Sequence, residues 1–167
     1  MIAIDPSCDV RQRHRMQFGE NVMIQKDCWL NIAYNNPHGF PMILIGDGSN
    51  IGRRTTISAA NSIKIGKWAL IAPNVYISDT DHSYTDPDMP IIFQGITSHT
   101  NRVIIDDGAW IGTNAVILGH VHIGKNAVVG ANTVVTKDVA DNTVVVGNPM
   151  RVIKSYDRET NQWKEQP

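Results

Sequence analysis

The strongest constraint in this chain is a six-residue period. Ile105, Ile111, Ile117, Ile123, Val129 and Val135 follow one another at intervals of six without a gap, and a small or β-branched residue recurs four places after each (Ala109, Ala115, Val121, Ala127, Thr133, Val139). The earlier chain carries the same phase in Phe18, Ile24 and Leu30, then Ile45, Ile51 and Ile57, then Ile65, Ile71 and Ile77. A helix needs apolar residues three or four apart and tolerates frequent glycine poorly. A lone amphipathic strand alternates every second residue, and these segments are too short and too often cut by Gly-Asn or Gly-Asp steps. One short strand plus one turn per six residues satisfies the pattern, with Gly, Asn and Asp supplying the turn dihedrals.

Three such units close a triangular coil, and stacked coils bury an apolar column that no single unit could bury. The fold class expected is therefore all-β, a parallel β-helix over about residues 10–146 within a single domain spanning 1–167. A β-sandwich with coincidental spacing is the competing arrangement, and six consecutive in-phase residues argue against it. The period leaves the hand of the coil open; the general crossover rule favours right-handed. Two stretches break the phase and are expected to leave the prism as loops, about 32–42 and 79–102. The segment 147–167 loses the repeat and is expected to pack on the prism as a short helix or strand.

Charge is nearly balanced, with 15 Lys+Arg against 16 Asp+Glu, which gives no broad footprint for nucleic acid or an anionic membrane. Cys8 and Cys28 form neither a CxxC motif nor a disulfide framework. The first fifteen residues lack a secretory core, and no apolar run approaches the roughly 18–20 residues of a membrane span. These features predict a cytoplasmic protein without membrane insertion or nucleic-acid partners.

Four blocks resemble the hexapeptide-repeat acyltransferase superfamily, in its galactoside, maltose and nodulation O-acetyltransferase branch and the related polysaccharide acetyltransferases. They are Ile71-Ala72-Pro73-Asn74-Val75 followed by Asp81-His82, Trp110-Ile111-Gly112-Thr113, Val134-Val135-Thr136-Lys137-Asp138, and Gly147-Asn148-Pro149-Met150-Arg151-Val152-Ile153. The resemblance runs from about Phe18 to Lys154. It implies a left-handed β-helix, a homotrimer with active sites between subunits, and acetyl-CoA as co-substrate with no metal required.

Acetyl transfer to a hydroxyl needs a base to take the acceptor's proton and a donor to hold the oxyanion. Histidine suits the first task, because its ordinary pKa of about 6.5 leaves much of it neutral near pH 7. The resemblance makes His82 the base. It places Gly112, Thr113 and Ala131 along the pantetheine, and Thr136, Lys137, Arg151 and Lys154 at the phosphates, where ammonium and guanidinium donors fit. Acceptor candidates are Ser58 and Asn61, which a small alignment offset leaves as alternatives, with Asp79, Asp81, Tyr84 and Trp110. Phe93 is a further stacking face for a sugar ring.

The function expected is O-acetylation of a carbohydrate acceptor by direct transfer. Alternatives on the same fold are N-acetylation of an amino sugar, modification of an antibiotic hydroxyl, a zinc carbonic-anhydrase-like site recruiting His82, His120 and His122, and a non-catalytic scaffold. The His-x-His step does not match the wider spacing expected of that zinc site. His14, His38 and His99 carry no supporting pattern.

Overall fold

The computed structural model describes residues 1–33, 42–98 and 100–166. The loop expected over 32–42 falls almost entirely outside that set, as do His38 and His99. The described chain winds as a left-handed parallel β-helix with three faces. Face A begins with Ala3–Ile4, Met23–Ile24, Asn50–Ile51, Leu70–Ile71, Trp110–Ile111, Val128–Val129 and Thr143–Val146. Face B holds Asp9–Val10, Trp29–Ile32, Thr56–Ala59, Tyr76–Ser78, Val116–Leu118 and Val134–Val135. Face C holds Met16–Phe18, Ile43–Ile45, Ser62–Ile65, Arg102–Ile105 and Val121–Ile123.

The period is realised as a column. Ile51, Ile57, Ile77, Ile105, Ile111, Ile117 and Ile123 are all fully buried, as are the companions Ala109, Ala115 and Ala127. Registers place like on like: Ile71 pairs with Ile51 and Ile111, and Ile77 with Ile57 and Ile117. Each buried isoleucine contributes about 1.5–3 kcal/mol, so the stack is stabilised along its whole length. The right-handed crossover preference arises from the twist accumulated along strands, and the strands of the coil are only two to four residues long. That preference therefore has no purchase here.

The corners turn on single left-handed residues. At the A-to-B corner, Asn74, Asn114 and Asn132 have φ of 59°, 59° and 58°. Each donates its backbone N–H to the coil before it, to Arg53 O (3.0 Å), Pro73 O (3.2 Å) and Thr113 O (2.9 Å). Asparagine tolerates this conformation better than most side chains.

The prism begins at Ala3–Ile4 rather than near residue 10. Ile4 stands in register with Ile24 and Val10 with Leu30, so both belong to the inward column. The 3-10 turn Arg13–Arg15 then lengthens the step to Phe18 and hides the phase in the sequence. At the other end, residues after Gly147 form two antiparallel strands, Arg151–Asp157 and Gln162–Glu165, which extend face A. Lys164 beside it, with the N–H groups of Thr160 and Glu159, holds the Asp157 carboxyl down at about 2.

The long excursion leaves face B after Ser78 and rejoins face C at Arg102. It contains the 3-10 turn Ile91–Phe93, and the Gln94 amide ties its limbs by donating to Asp86 O (2.8 Å) and Met89 O (2.7 Å). The break in phase after Ile32 falls at the same B-to-C corner, two face-B strands earlier.

Candidate active site

His82 stands at the root of the long excursion, where it forms an antiparallel bridge with Ile96. The limbs are joined by Thr97 N–H to Asp81 O (2.9 Å) and Ser83 N–H to Gly95 O (3.0 Å). This short ladder fixes the backbone on both sides of the imidazole. His82 faces a cavity of about 410 Å³ on face B, lined also by Trp29, Asn31, Ala33, Ser58, Tyr76, Thr80, Asp81, Ile96 and Leu118. The lining thus combines His82 and Asp81 with Asn31, Ser58 and the aromatic residues Trp29 and Tyr76.

The polar side of the cavity is built by strand register. Asn31 lies opposite Ser58 on adjacent strands of face B, with Asn31 Nδ2 3.5 Å from Ser58 Oγ. Trp29 and Tyr76 flank Thr56 in the same sheet, and both rings are substantially exposed. The Thr80 hydroxyl is the one buried side-chain polar atom among the described residues without a hydrogen-bond partner.

Several acceptor candidates stand elsewhere. Asn61 is buried and donates through Nδ2 to Ser98 O (3.2 Å), so of the alternatives Ser58 and Asn61, Ser58 lines the cavity. Asp79 is wholly buried, and its carboxylate accepts the backbone N–H groups of Ala60 (2.7 Å), Asn61 (2.8 Å) and Ser62 (2.5 Å). It is a clamp inside the protein and not a surface for an acceptor. Burial pushes its carboxyl above the usual 3.8, against the opposing pull of those N–H groups. Tyr84 and Phe93 project from the excursion, 73% and 74% exposed, away from the lining. Trp110 sits on the outer side of face A, where it pairs with Leu70 and Val128, so one chain does not bring it to His82.

The residues expected to meet the co-substrate divide into groups. Thr136 and Lys137 line a second cavity, about 130 Å³, with Val134, Asn148, Pro149 and Met150. Val134 is on the face-B strand next to Val116–Leu118, and Leu118 lines the His82 cavity. The two cavities therefore each take a lining residue, Val134 and Leu118, from neighbouring strands of face B. Gly112, Thr113 and Ala131 stack at the A-to-B corner, where Thr113 O accepts the N–H of Asn132. A Cβ on Gly112 would stand 2.6 Å from Ala131 N, so close stacking alone requires glycine there. Arg151 is exposed at the start of its strand. Lys154 is engaged by Glu165, Nζ to Oε1 2.8 Å.

His120 and His122 belong to a separate group on face C. His120 Nδ1 accepts the N–H of Arg102 (3.3 Å), and His122 Nε2 lies 2.7 Å from Asp106 Oδ2. Among the described residues no three His, Cys, Asp or Glu side chains are grouped so as to hold a metal ion. No helix there is long and apolar enough to cross a membrane.

Residues 102–137 match the bacterial transferase hexapeptide (six repeats) family, and residues 42–79 match the hexapeptide repeat of succinyl-transferase. The chain is 31% identical to the putative lipopolysaccharide biosynthesis O-acetyl transferase WbbJ of Escherichia coli K12, over 95% of this chain and 81% of that protein. It belongs to the hexapeptide-repeat acyltransferases. A galactoside O-acetyltransferase of Lactococcus lactis is 32% identical over 81% of this chain and 61% of its own length. Among solved structures, the hexapeptide-repeat acetyltransferase VCA0836 of Vibrio cholerae, crystallised with acetyl-CoA, superposes with a TM-score of 0.73. It is 30% identical, over 87% of this chain and 74% of that one.

Within this acyltransferase, sequence reasoning missed Trp29, Asn31, Tyr76 and Thr80. A signal for Asn31 existed, since it follows Leu30 as Ser58 follows Ile57. The phase break between those two strands obscured it.

Proposed function

We propose that this acetyltransferase moves the acetyl group of acetyl-CoA to a sugar hydroxyl by direct transfer, with His82 as general base. Acetyl-CoA as donor follows from membership of the family and from the relatives named acetyltransferases. The observation that carries the finer reading is the His82 cavity, where the imidazole shares one 410 Å³ space with the Asn31–Ser58 pair and the rings of Trp29 and Tyr76. Polar side chains beside aromatic faces suit a polyol ring, which presents hydroxyls at its rim and C–H groups on its faces. Relatives named as acetylating galactosides or serving lipopolysaccharide biosynthesis support a carbohydrate acceptor.

In this mechanism the imidazole accepts the hydroxyl proton as the oxygen attacks the thioester carbonyl. The tetrahedral intermediate collapses with cleavage of the C–S bond, and the imidazolium returns its proton to the departing CoA sulfur. Ser58 and Asn31 orient the acceptor. Thr136 and Lys137, just beyond the last strand of face B, and Arg151, at the start of its face-A strand, meet the donor phosphates, with Gly112, Thr113 and Ala131 along the pantetheine. Lys154 serves only if it exchanges Glu165 for phosphate.

We infer a homotrimer in which a neighbouring chain completes each site. The exposed apolar residues Met23, Leu70 and Trp110 along face A support burial against another chain. Cytoplasmic location is part of the same reading.

The test is thiol release from acetyl-CoA against simple sugars, nucleotide sugars, amino sugars and acylatable antibiotics. Turnover dependent on a sugar hydroxyl supports the proposal. Turnover confined to amino acceptors would replace it with N-acetylation, and turnover confined to antibiotics would make the protein a xenobiotic acetyltransferase.

A further inference from the structure

The base reading leaves open what holds His82 in place, since its hairpin extends from the prism. Both limbs are fastened to one turn. On the outgoing limb, the buried Asp79 carboxylate takes three consecutive N–H groups, those of Ala60, Asn61 and Ser62. On the returning limb, Ser98 O takes the Nδ2–H of Asn61. Asp81, two residues beyond Asp79, and Thr97, the neighbour of Ser98, are then joined by Thr97 N–H to Asp81 O. His82 and Ile96 form the adjoining bridge.

This arrangement differs from the acids at ordinary corners of the coil. Asp47, Asp107 and Asp141 accept the N–H groups of Glu20, Lys67 and Lys125 respectively, from partly or fully exposed positions. Asp79 is fully buried and accepts three. Burying a carboxylate is costly unless several donors offset it, and charge-assisted bonds to N–H groups are short and strong. A corner needing only to turn would not require it.

We propose that Asp79 and Asn61 are positioning residues for His82, holding both limbs of its hairpin on the Ala60–Ser62 turn so that the imidazole faces Ser58 across the cavity. The inference rests on His82 being the base.

Two measurements on the full chain test it: amide hydrogen exchange, and acetyl-CoA turnover with the acceptor found by the sugar panel or with water. In Asp79→Asn, an amide replaces the carboxylate and turns N–H groups toward N–H groups. Exchange is expected to rise at least about tenfold at Ala60, Asn61 and Ser62 and also at Ser83 and Thr97. In Asn61→Ala, the rise is expected at Ser83 and Thr97, with Ala60 and Ser62 unchanged. Asn61→Ala carries the test if Asp79→Asn does not fold.

In both variants kcat is expected to fall about tenfold or more, with the KM for acetyl-CoA within about twofold of wild type. Neither change is expected to lower turnover further in a His82→Ala background. An exchange increase confined to residues 60–62, or a wild-type kcat in both variants beside an inactive His82→Ala, would overturn the positioning role alone. Full turnover in His82→Ala would overturn the base assignment and the positioning role together.

Discussion

Asn31 and Ser58, separated by a long break in the repeat, stand opposite each other on neighbouring strands with Asn31 Nδ2 3.5 Å from Ser58 Oγ. Both face the cavity that holds His82. Their role as acceptor ligands predicts that Ser58→Ala and Asn31→Ala each raise the acceptor KM or lower kcat. Losing one hydrogen bond to a neutral partner corresponds to roughly 0.5–1.5 kcal/mol, or about tenfold at the upper end. Acetyl-CoA affinity, measured by calorimetry, should remain at the wild-type value.

The Asp79 carboxyl sits above its usual 3.8 because burial outweighs its three N–H partners. The folded state therefore retains this proton where the unfolded chain has released it. The group's stabilising contribution is fully present below the unfolded value and is lost as pH rises through the raised native one. Urea unfolding of wild type and Asp79→Asn, from about pH 3.5 to about pH 7, should show the difference in stability declining with pH and then levelling. A rising difference would contradict the assignment.

Burial raises the Cys28 thiol to about 11, and its Sγ–H donates to Gly52 O at 3.2 Å. At pH 8 only about one thiol in a thousand is then ionised. Cys28 should resist a thiol-specific reagent in the native protein and react promptly in denaturant. A Cys8→Ser variant makes the reading unambiguous.

Gly48 occupies a corner with φ of 68°, and a Cβ there would meet the Trp68 ring. Gly48→Ala combines left-handed strain with overpacking and is expected to cost about 2 kcal/mol or more. Thr80→Val runs the other way. Removing the unpartnered hydroxyl while keeping the shape should leave stability unchanged or raise it by about 1 kcal/mol. Thermal unfolding distinguishes both signs.

The prism was legible because every Ile or Val of the period meets the same inward environment, so the burial of Ile111 repeats that of Ile117 and Ile123. The first coil was not, because the turn Arg13–Arg15 interrupts the spacing between Val10 and Phe18. At the site, His82, Ser58 and Asp81 line one cavity. Asn61 and Asp79 stand outside the cavity because side-chain direction at a corner depends on which backbone groups need partners: the Asp79 carboxylate accepts the N–H groups of residues 60–62, and the Asn61 amide donates to Ser98 O. Asn31 was hidden by the break after Ile32.

The most direct test of the base assignment is steady-state acetyl transfer by wild type and His82→Ala, with the identified sugar acceptor and matched acetyl-CoA binding. The expected result is a loss of about a hundredfold to ten-thousandfold in kcat, with co-substrate binding unchanged. Wild-type turnover in His82→Ala would contradict the central claim and move the search for the base to another residue of the cavity.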